Sequence, residues 1–204
     1  MNSFRFSLAA ATLLAAAVAS ADQITQYFTY NVVPTLNGDD LVHVSNLTYG
    51  GFDPALGTLR SVYVQVSLRS FMRNGWENTS TSAASISWQH YAVAGFGWND
   101  PTGYINAGNA GYGVNYTSPT VAAFDGNLNH FGPSGFRLDQ IGSGANNVLI
   151  LPTDAAFSKF LGAGDQVAEM YARLAVFPKP ASHLYYAGRA RGTIIITYNY
   201  TPAP

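Results

Sequence analysis

Two stretches of this sequence alternate apolar and polar residues with a period of two, and this pattern restricts them to β-strands. In residues 62–69 the two strand faces differ, with Val62, Val64, Val66 and Leu68 on one and Tyr63, Gln65, Ser67 and Arg69 on the other. Residues 193–200 repeat the alternation near the end of the chain, before Pro202. Strands of this kind place one face in a core and the other in solvent.

A turn precedes the first of these strands, in residues 52–57 (FDPALG). Asp53 is suited to bond nearby backbone N–H groups, Pro54 fixes its own φ, and Gly57 tolerates a positive φ. The turn is therefore expected to set the direction in which the strand starts.

Further strands are predicted at residues 24–33, 41–49, 85–93, 135–141, 147–151 and 166–177. The last of these also suits a helix, but its apolar residues alternate, which favours a strand. Only residues 152–162 look helical, with Thr153 as the cap and Gly162 as the stop. The predicted fold is all-β: an antiparallel, jelly-roll-like β-sandwich of about eight strands with one short helix.

The first 21 residues have the features of a secretory signal peptide. Arg5 precedes an apolar run of Leu and Ala, which ends at small residues up to Ala21. The run is shorter than the roughly 20 apolar residues that span a membrane. We therefore expect cleavage after Ala21, no membrane span in the product, and a secreted, extracellular or cell-surface location. Residues 22–204, which contain no cysteine, are predicted to form a single β-sandwich domain.

The low charge content argues against one class of partner. Charged residues make up 10% of the chain, the formal net charge is −1, and Lys159 and Lys179 are the only lysines. Phosphate recognition depends on clustered Lys and Arg, so nucleic-acid binding is not expected.

Residues 95–119 are rich in Gly, Asn and Tyr and show no sustained periodicity, which predicts a long loop. Its aromatic rings suit a platform for a sugar ring, and its amides suit the hydrogen bonds that would orient that ring. The candidate glycan-binding residues are Trp98, Asn99, Tyr104, Tyr112 and Tyr116. The alternative, favoured by the burial tendency of aromatic residues, is that these rings fold back and cover the sandwich.

One stretch suggests calcium as a cofactor. Asp125, Asn127 and Asn129 place oxygen-bearing side chains at alternate positions, as the start of an EF-hand loop does. His130 then occupies the position of the required Gly, and Phe136 that of the bidentate Glu, so only a calcium site of another type would fit. The alternative is an Asx-rich turn.

Residue types that carry out catalysis are scarce. Glu77 and Glu169 are the only glutamates, and a glycosidase needs two carboxylates that face each other across a cleft. The four histidines show no close pair at metal-ligand spacing. His43 and His90 lie in predicted strands, where each would be an exposed or a hydrogen-bonded structural residue. We predict that the protein is not an enzyme, and a hydrolase with paired aspartates is the weakest hypothesis.

Three separated segments together resemble the bacterial choice-of-anchor E domain family. They are residues 52–59 (FDPALGTL) leading into the Val-rich strand, residues 160–165 (FLGAGD) and residues 192–200 (GTIIITYNY). The resemblance implies an exported bacterial β domain of unassigned role, usually followed by a surface-sorting signal, and it implies no catalytic residues. Because no hydrophobic tail, basic cluster or sortase-type motif follows Tyr200, we expect a product that is freely secreted or retained by non-covalent contacts.

We therefore predict a secreted, non-enzymatic β-sandwich protein with a structural or adhesive role in a cell envelope or extracellular matrix. The alternative function is a carbohydrate-binding module that uses the aromatic residues of 95–119. The expected partners are an extracellular polysaccharide or further copies of the protein. Self-association by strand addition is expected if residues 194–200 lie at a sheet edge, with Arg189 and Arg191 as gatekeepers against it.

Overall fold

The computed structural model describes residues 23–37, 40–101, 103–177 and 183–203. These parts of the chain contain nine β-strands and two short 3₁₀ helices. The strands are β1 (Gln23–Val32), β2 (Thr35–Asn37), β3 (Asp40–Gly50), β4 (Gly57–Glu77), β5 (Ser87–Asp100), β6 (Gly103–Thr117), β7 (Gly135–Ile150), β8 (Asp165–Phe177) and β9 (His183–Pro202). The 3₁₀ helices are Pro54–Leu56 and Phe157–Phe160. The predicted signal peptide, residues 1–21, lies outside the described residues and stays a prediction.

The strands form two antiparallel sheets that pack face to face. The four-stranded sheet has the order β1-β9-β4-β7, and the five-stranded sheet has the order β2-β3-β8-β5-β6, in which β2 has only three residues. From β3 onward each connection crosses to the other sheet, except the hairpin that joins β5 to β6. This is the jelly-roll arrangement of eight main strands, and it confirms the predicted β-sandwich.

The turn before β4 has the predicted structure. Asp53 Oδ1 accepts a hydrogen bond from the backbone N–H of Ala55 at 2.9 Å. Gly57 has a φ of 141°, and a Cβ at this position would collide with the backbone of Thr201. From Val62 onward the even-numbered residues of β4 are buried, so the turn and the alternation together fix which face of the strand meets the core.

β9 lies inside the four-stranded sheet, between β1 and β4. Ile196, for example, is opposite Gln26 on β1 and Val64 on β4. Residues 194–200 are therefore not at a sheet edge, and the condition for strand addition at this segment is not met. The gatekeeper role of Arg189 and Arg191 was predicted only for a strand at an edge. Strand order depends on long-range pairing, which the pattern within one strand does not encode.

β7 is one continuous strand where the sequence predicted two shorter ones. The predicted gap contains Gly142 and Gly144, which are weak strand formers. A Cβ at Gly144 would lie 2.5 Å from the carbonyl oxygen of Gly111 on β6, and a Cβ at Gly142 would overlap the ring of Tyr112. The contact between β6 and β7 therefore requires these glycines, and they do not interrupt the strand.

Residues 152–162 form turns rather than the predicted helix. Only residues 157–160 are helical, of the 3₁₀ type, and no side chain caps them, so the predicted cap at Thr153 was wrong. Phe160 is fully buried, and its ring lies 5.3 Å from the Trp98 ring between centroids. The segment covers one end of the core, and this contact fixes its path. No helix in the described residues is long and apolar enough to cross a membrane.

Candidate functional site

The predicted glycan-binding residues lie on the β5–β6 hairpin rather than in a long loop. The two strands pair continuously from Ser87 opposite Thr117 to Asp100 opposite Gly103, with one register shift. The loop prediction was wrong because β6 is composed largely of Gly, Ala and Asn, which are poor strand formers. Small residues are needed here, since a Cβ at Gly108 would lie only 3.1 Å from a methyl group of Val64 in the opposite sheet.

The hairpin directs these five residues to opposite faces of the five-stranded sheet. Trp98, Tyr112 and Tyr116 are on the face that packs against the other sheet, and Asn99 and Tyr104 are on the outer face. Trp98 is only 8% exposed, and its indole meets the Phe96 ring at a centroid distance of 5.9 Å. The five residues therefore do not form one platform. The three inward rings instead pack inside the sandwich, which agrees with the alternative interpretation that the aromatic rings fold back onto it.

Tyr112 and Tyr116 make contacts inside the sandwich. The Tyr112 hydroxyl hydrogen-bonds to the Ser70 hydroxyl on β4, which links the two sheets. The Tyr116 ring stacks on Trp88, with 5.8 Å between centroids and 26° between the ring planes. Both rings hold the hairpin in place.

Asn99 and Tyr104 belong to a polar and aromatic patch on the outer surface, which we call the tyrosine–asparagine face. Its members are Asn46, Asn99, Tyr104, Asn109, Glu169 and Tyr171. Strand register brings these residues together, because Glu169 on β8 is opposite Asn46 on β3 and also opposite Gly97 on β5. The patch therefore spans β3, β8, β5 and β6.

Gly95 and Gly97 leave the middle of this face without side chains. The Tyr104 ring lies over Gly97, where a Cβ would come within 2.9 Å of the Tyr104 hydroxyl. The same ring is 42% exposed and meets Tyr171 edge-on, with 5.9 Å between centroids and 78° between planes. The two tyrosines thus form an angled aromatic surface, and Tyr104 covers the buried backbone of Gly97.

Hydrogen bonds fix the polar groups around the two tyrosines. Asn99 Nδ2 donates to Glu169 Oε1 at 2.6 Å, and the Asn109 side chain hydrogen-bonds to Tyr171. Burial, and then the nearby Tyr171 and Glu169, raise the pKa of Tyr104 above its ordinary value. The Tyr104 hydroxyl therefore stays protonated and can donate a hydrogen bond across the physiological pH range.

A shallow depression of about 180 Å³ opens beside Asn46, Asn99 and Glu169 of this face. Its lining consists of Asn46, Trp98, Asn99, Val167, Ala168 and Glu169. Two amides and one carboxylate therefore open onto the same space, next to apolar surface. A few convergent polar groups beside apolar side chains are the usual composition of a small-molecule site.

Asp125, Asn127 and Asn129 lie in the connection between β6 and β7. Asp125 Oδ1 accepts a hydrogen bond from the backbone N–H of Asn127 at 2.9 Å, and Asn129 Oδ1 accepts one from Phe131 at 2.7 Å. These are Asx turns, the alternative interpretation of the motif. No three His, Cys, Asp or Glu side chains of the described residues cluster to hold a metal ion. Calcium binding by this stretch stays a prediction.

A buried carboxylate fastens the same connection to β4. Glu77 is fully buried and accepts hydrogen bonds at 2.6 Å from the Ser134 hydroxyl and from the His130 backbone N–H. His130 has a φ of 58°, a conformation uncommon for residues other than glycine. Glu77, which the sequence analysis singled out only as one of two glutamates, therefore holds this connection against β4.

Sequence reasoning did not assign Asn46, Asn109 or Tyr171 to a site. The alternation of β8 did contain part of the signal, because it puts Glu169 and Tyr171 on the same outward face. The other part is the pairing of β3 with β8 and of β8 with β5, which joins segments more than 50 residues apart.

No protein-family model matches this sequence, and no curated protein matches it. Among solved structures, the chain is similar to chains of infectious bursal disease virus. The Gt strain structure has 9% sequence identity and a TM-score of 0.27, with 89% of this chain and 38% of that chain covered. The VP2 subviral particle has 9% identity and a TM-score of 0.28, with 95% and 43% covered. The chain spans about two fifths of the length of these viral chains, and similarity at this level assigns neither family nor function.

Proposed function

We propose that this protein is an exported, non-enzymatic adhesive module that binds an uncharged polysaccharide through the tyrosine–asparagine face. The observation that carries the proposal is the Tyr104 ring, which is 42% exposed, lies edge-on to Tyr171 and has Asn99 opposite it on β5. Aromatic rings offer flat apolar area to the C–H face of a sugar, and neighbouring amides orient its hydroxyls.

The polar groups of this face favour a ligand without negative charge. Asn46, Asn99 and Asn109 offer amides, each of which has both donor and acceptor atoms. Glu169 is the one carboxylate among the described residues that line the depression, and it would repel a carboxylated or sulfated polymer. Glycoside hydrolysis uses a pair of carboxylates, so this lining suits binding of hydroxyl groups better than cleavage.

The jelly-roll fold is compatible with this proposal but does not carry it. Lectin domains are among the proteins with this architecture, and so are proteins of unrelated function. The support for the proposed function therefore comes from the side chains of the tyrosine–asparagine face and from their spacing.

The variant Tyr104→Ala tests the proposal in a pull-down with insoluble cellulose and chitin, two uncharged polysaccharides. We expect the wild-type protein to be retained on at least one of them, and the variant to bind about tenfold more weakly, equivalent to about 1.4 kcal/mol. The matched control is Tyr27→Ala, which removes a 68% exposed tyrosine from β1 in the other sheet.

Retention equal to wild type for Tyr27→Ala, with unchanged thermal unfolding for both variants, would place the effect at the tyrosine–asparagine face. If Tyr104→Ala binds as well as the wild type, the proposed site is wrong. If the wild-type protein is retained on neither polymer, the proposed function is wrong.

A further inference from the structure

The outer face of the four-stranded sheet carries a concentration of positive charge. Its members, which we call the arginine face, are Arg69, Arg73, Arg137, Arg189 and Arg191. The four strands of this sheet contain only two acidic residues, Asp139 and Glu77, and the Glu77 side chain is buried. The whole chain has a formal net charge of −1, so this face departs from the average of the molecule.

One row of this face pairs two arginines directly. Arg69 on β4 is opposite Arg191 on β9, and both side chains are exposed. The row continues with Asn31 on β1 and Ser143 on β7, so it holds no carboxylate. Like charges directly opposite each other destabilise a sheet, so pairing within the sheet does not favour this arrangement.

The next rows place an aromatic ring among the cations. The guanidinium groups of Arg189 and Arg73 lie 5.6 and 5.9 Å from the centroid of the Phe71 ring. Arg73 also donates two hydrogen bonds of 2.7 Å to Asp139, and these bonds, with Arg137 nearby, lower the pKa of that carboxyl group. The one exposed carboxylate of the face is therefore already engaged by Arg73.

Hydroxyl and amide side chains continue the same surface toward the other end of the sheet. Ser67 and Thr193 hydrogen-bond to each other at 2.8 Å in the row beside Arg69 and Arg191. The following row has Gln65 on β4, between Asn147 on β7 and the apolar Ile195 on β9. An extended ligand that crosses the arginines would meet these neutral hydrogen-bonding groups next.

We infer that the arginine face binds an anionic polysaccharide. Arg69, Arg189 and Arg191 hold its carboxylate or sulfate groups, because the planar guanidinium matches such anions with two parallel hydrogen bonds. The adjoining hydroxyls and amides hold the sugar hydroxyls. A nucleic acid fits less well, since its affinity depends on many Lys and Arg contacts to phosphates and this chain is not basic overall.

The inference does not rest on the proposed function, because the arginine face and the tyrosine–asparagine face are on different sheets and select opposite ligand charge. The two fail separately in experiments: Tyr104→Ala leaves binding to an anionic polymer unchanged, and changes at Arg69 and Arg191 leave binding to an uncharged polymer unchanged.

The double variant Arg69→Gln/Arg191→Gln tests the inference with immobilised alginate, which carries carboxylates, and heparin, which carries sulfates. We expect the wild-type protein to bind at least one of them and the double variant to bind it at least about tenfold more weakly. The matched control is Arg60→Gln. Arg60 is on the same strand but at its far end, away from the arginine face, where its Nε donates a hydrogen bond to Thr201 Oγ1 at 2.9 Å. Removing two facing cations is not expected to lower the melting temperature, so the variant should stay folded.

Preference for alginate or heparin identifies the anionic group that the face recognises, and the double variant should bind the uncharged polymer dextran to the same extent as the wild type. Three results would overturn the inference: no binding of the wild type to either anionic polymer, equal weakening by Arg60→Gln, or tighter binding to duplex DNA or phosphatidylserine vesicles than to both polysaccharides.

Discussion

His90 places a titratable group in the interior of the sandwich. It is fully buried, and neither ring nitrogen has a hydrogen-bond partner among the described residues. Its ring lies edge-on to Tyr112, with 5.4 Å between centroids. The sequence predicted an exposed or a hydrogen-bonded histidine, and both alternatives were wrong, because a period-two pattern does not show what a polar side chain on the inner face will meet.

Burial lowers the pKa of His90 from 6.5 to about 4, so the folded protein holds a neutral imidazole. Between those pH values the unfolded chain binds more protons than the folded one, and stability therefore falls as the pH falls. We expect a loss of about 3 kcal/mol from this group between pH 7 and pH 4. The measurement is urea unfolding of the wild type and of His90→Leu at several pH values. The stability difference between the two proteins should change by that amount, and parallel pH profiles would contradict the assignment.

At the scale of elements, the edge strands β6 and β7 approach each other through glycines. Gly144 is the most restrictive position, since the atom nearest to a methyl group added there would be a backbone oxygen, that of Gly111 at 2.5 Å. A flexible side chain could rotate away, but a strand backbone must move as a unit. The packing of the two sheets at this edge therefore depends on the absence of a side chain.

Gly144→Ala is expected to lower the free energy of unfolding by about 1–3 kcal/mol, the usual range for overpacking. Ser143→Ala, at the next residue but on the exposed outer face, should change it by less than about 0.5 kcal/mol. Chemical denaturation of both variants measures the two values. Equal stabilities would show that the strands have room to separate here.

The same elements show what local sequence can predict. β3 and β8 were predicted to within one residue at each end, and the sandwich class was confirmed, because alternation is a local property. The β5–β6 hairpin and the continuity of β7 were missed because both contain Gly and Ala, which are poor strand formers. These small residues are needed for close contacts between the sheets, and local sequence does not show such contacts. In the candidate site Asn99 and Tyr104 were predicted, whereas Tyr171 depends on which strands become neighbours.

For the whole molecule, the two proposed faces belong to the two sheets of one sandwich, so each has its own outer surface. One copy would then hold an uncharged polymer on the five-stranded sheet and an anionic polymer on the four-stranded sheet. Bridging of two polymers would give the adhesive or structural role predicted from the sequence a physical basis. The resemblance to the choice-of-anchor E domain family is compatible with such a role and stays a prediction.

The most direct test of the central proposal is an NMR titration of the isotopically labelled protein with cellohexaose and with chitohexaose. We expect backbone amide shifts that cluster at Gly95, Gly97, Tyr104 and Glu169 and leave Arg69 unmoved. The absence of shifts with either sugar at the highest concentration reached in the titration would contradict the proposed function. A cluster of shifts on the arginine face instead would also contradict it.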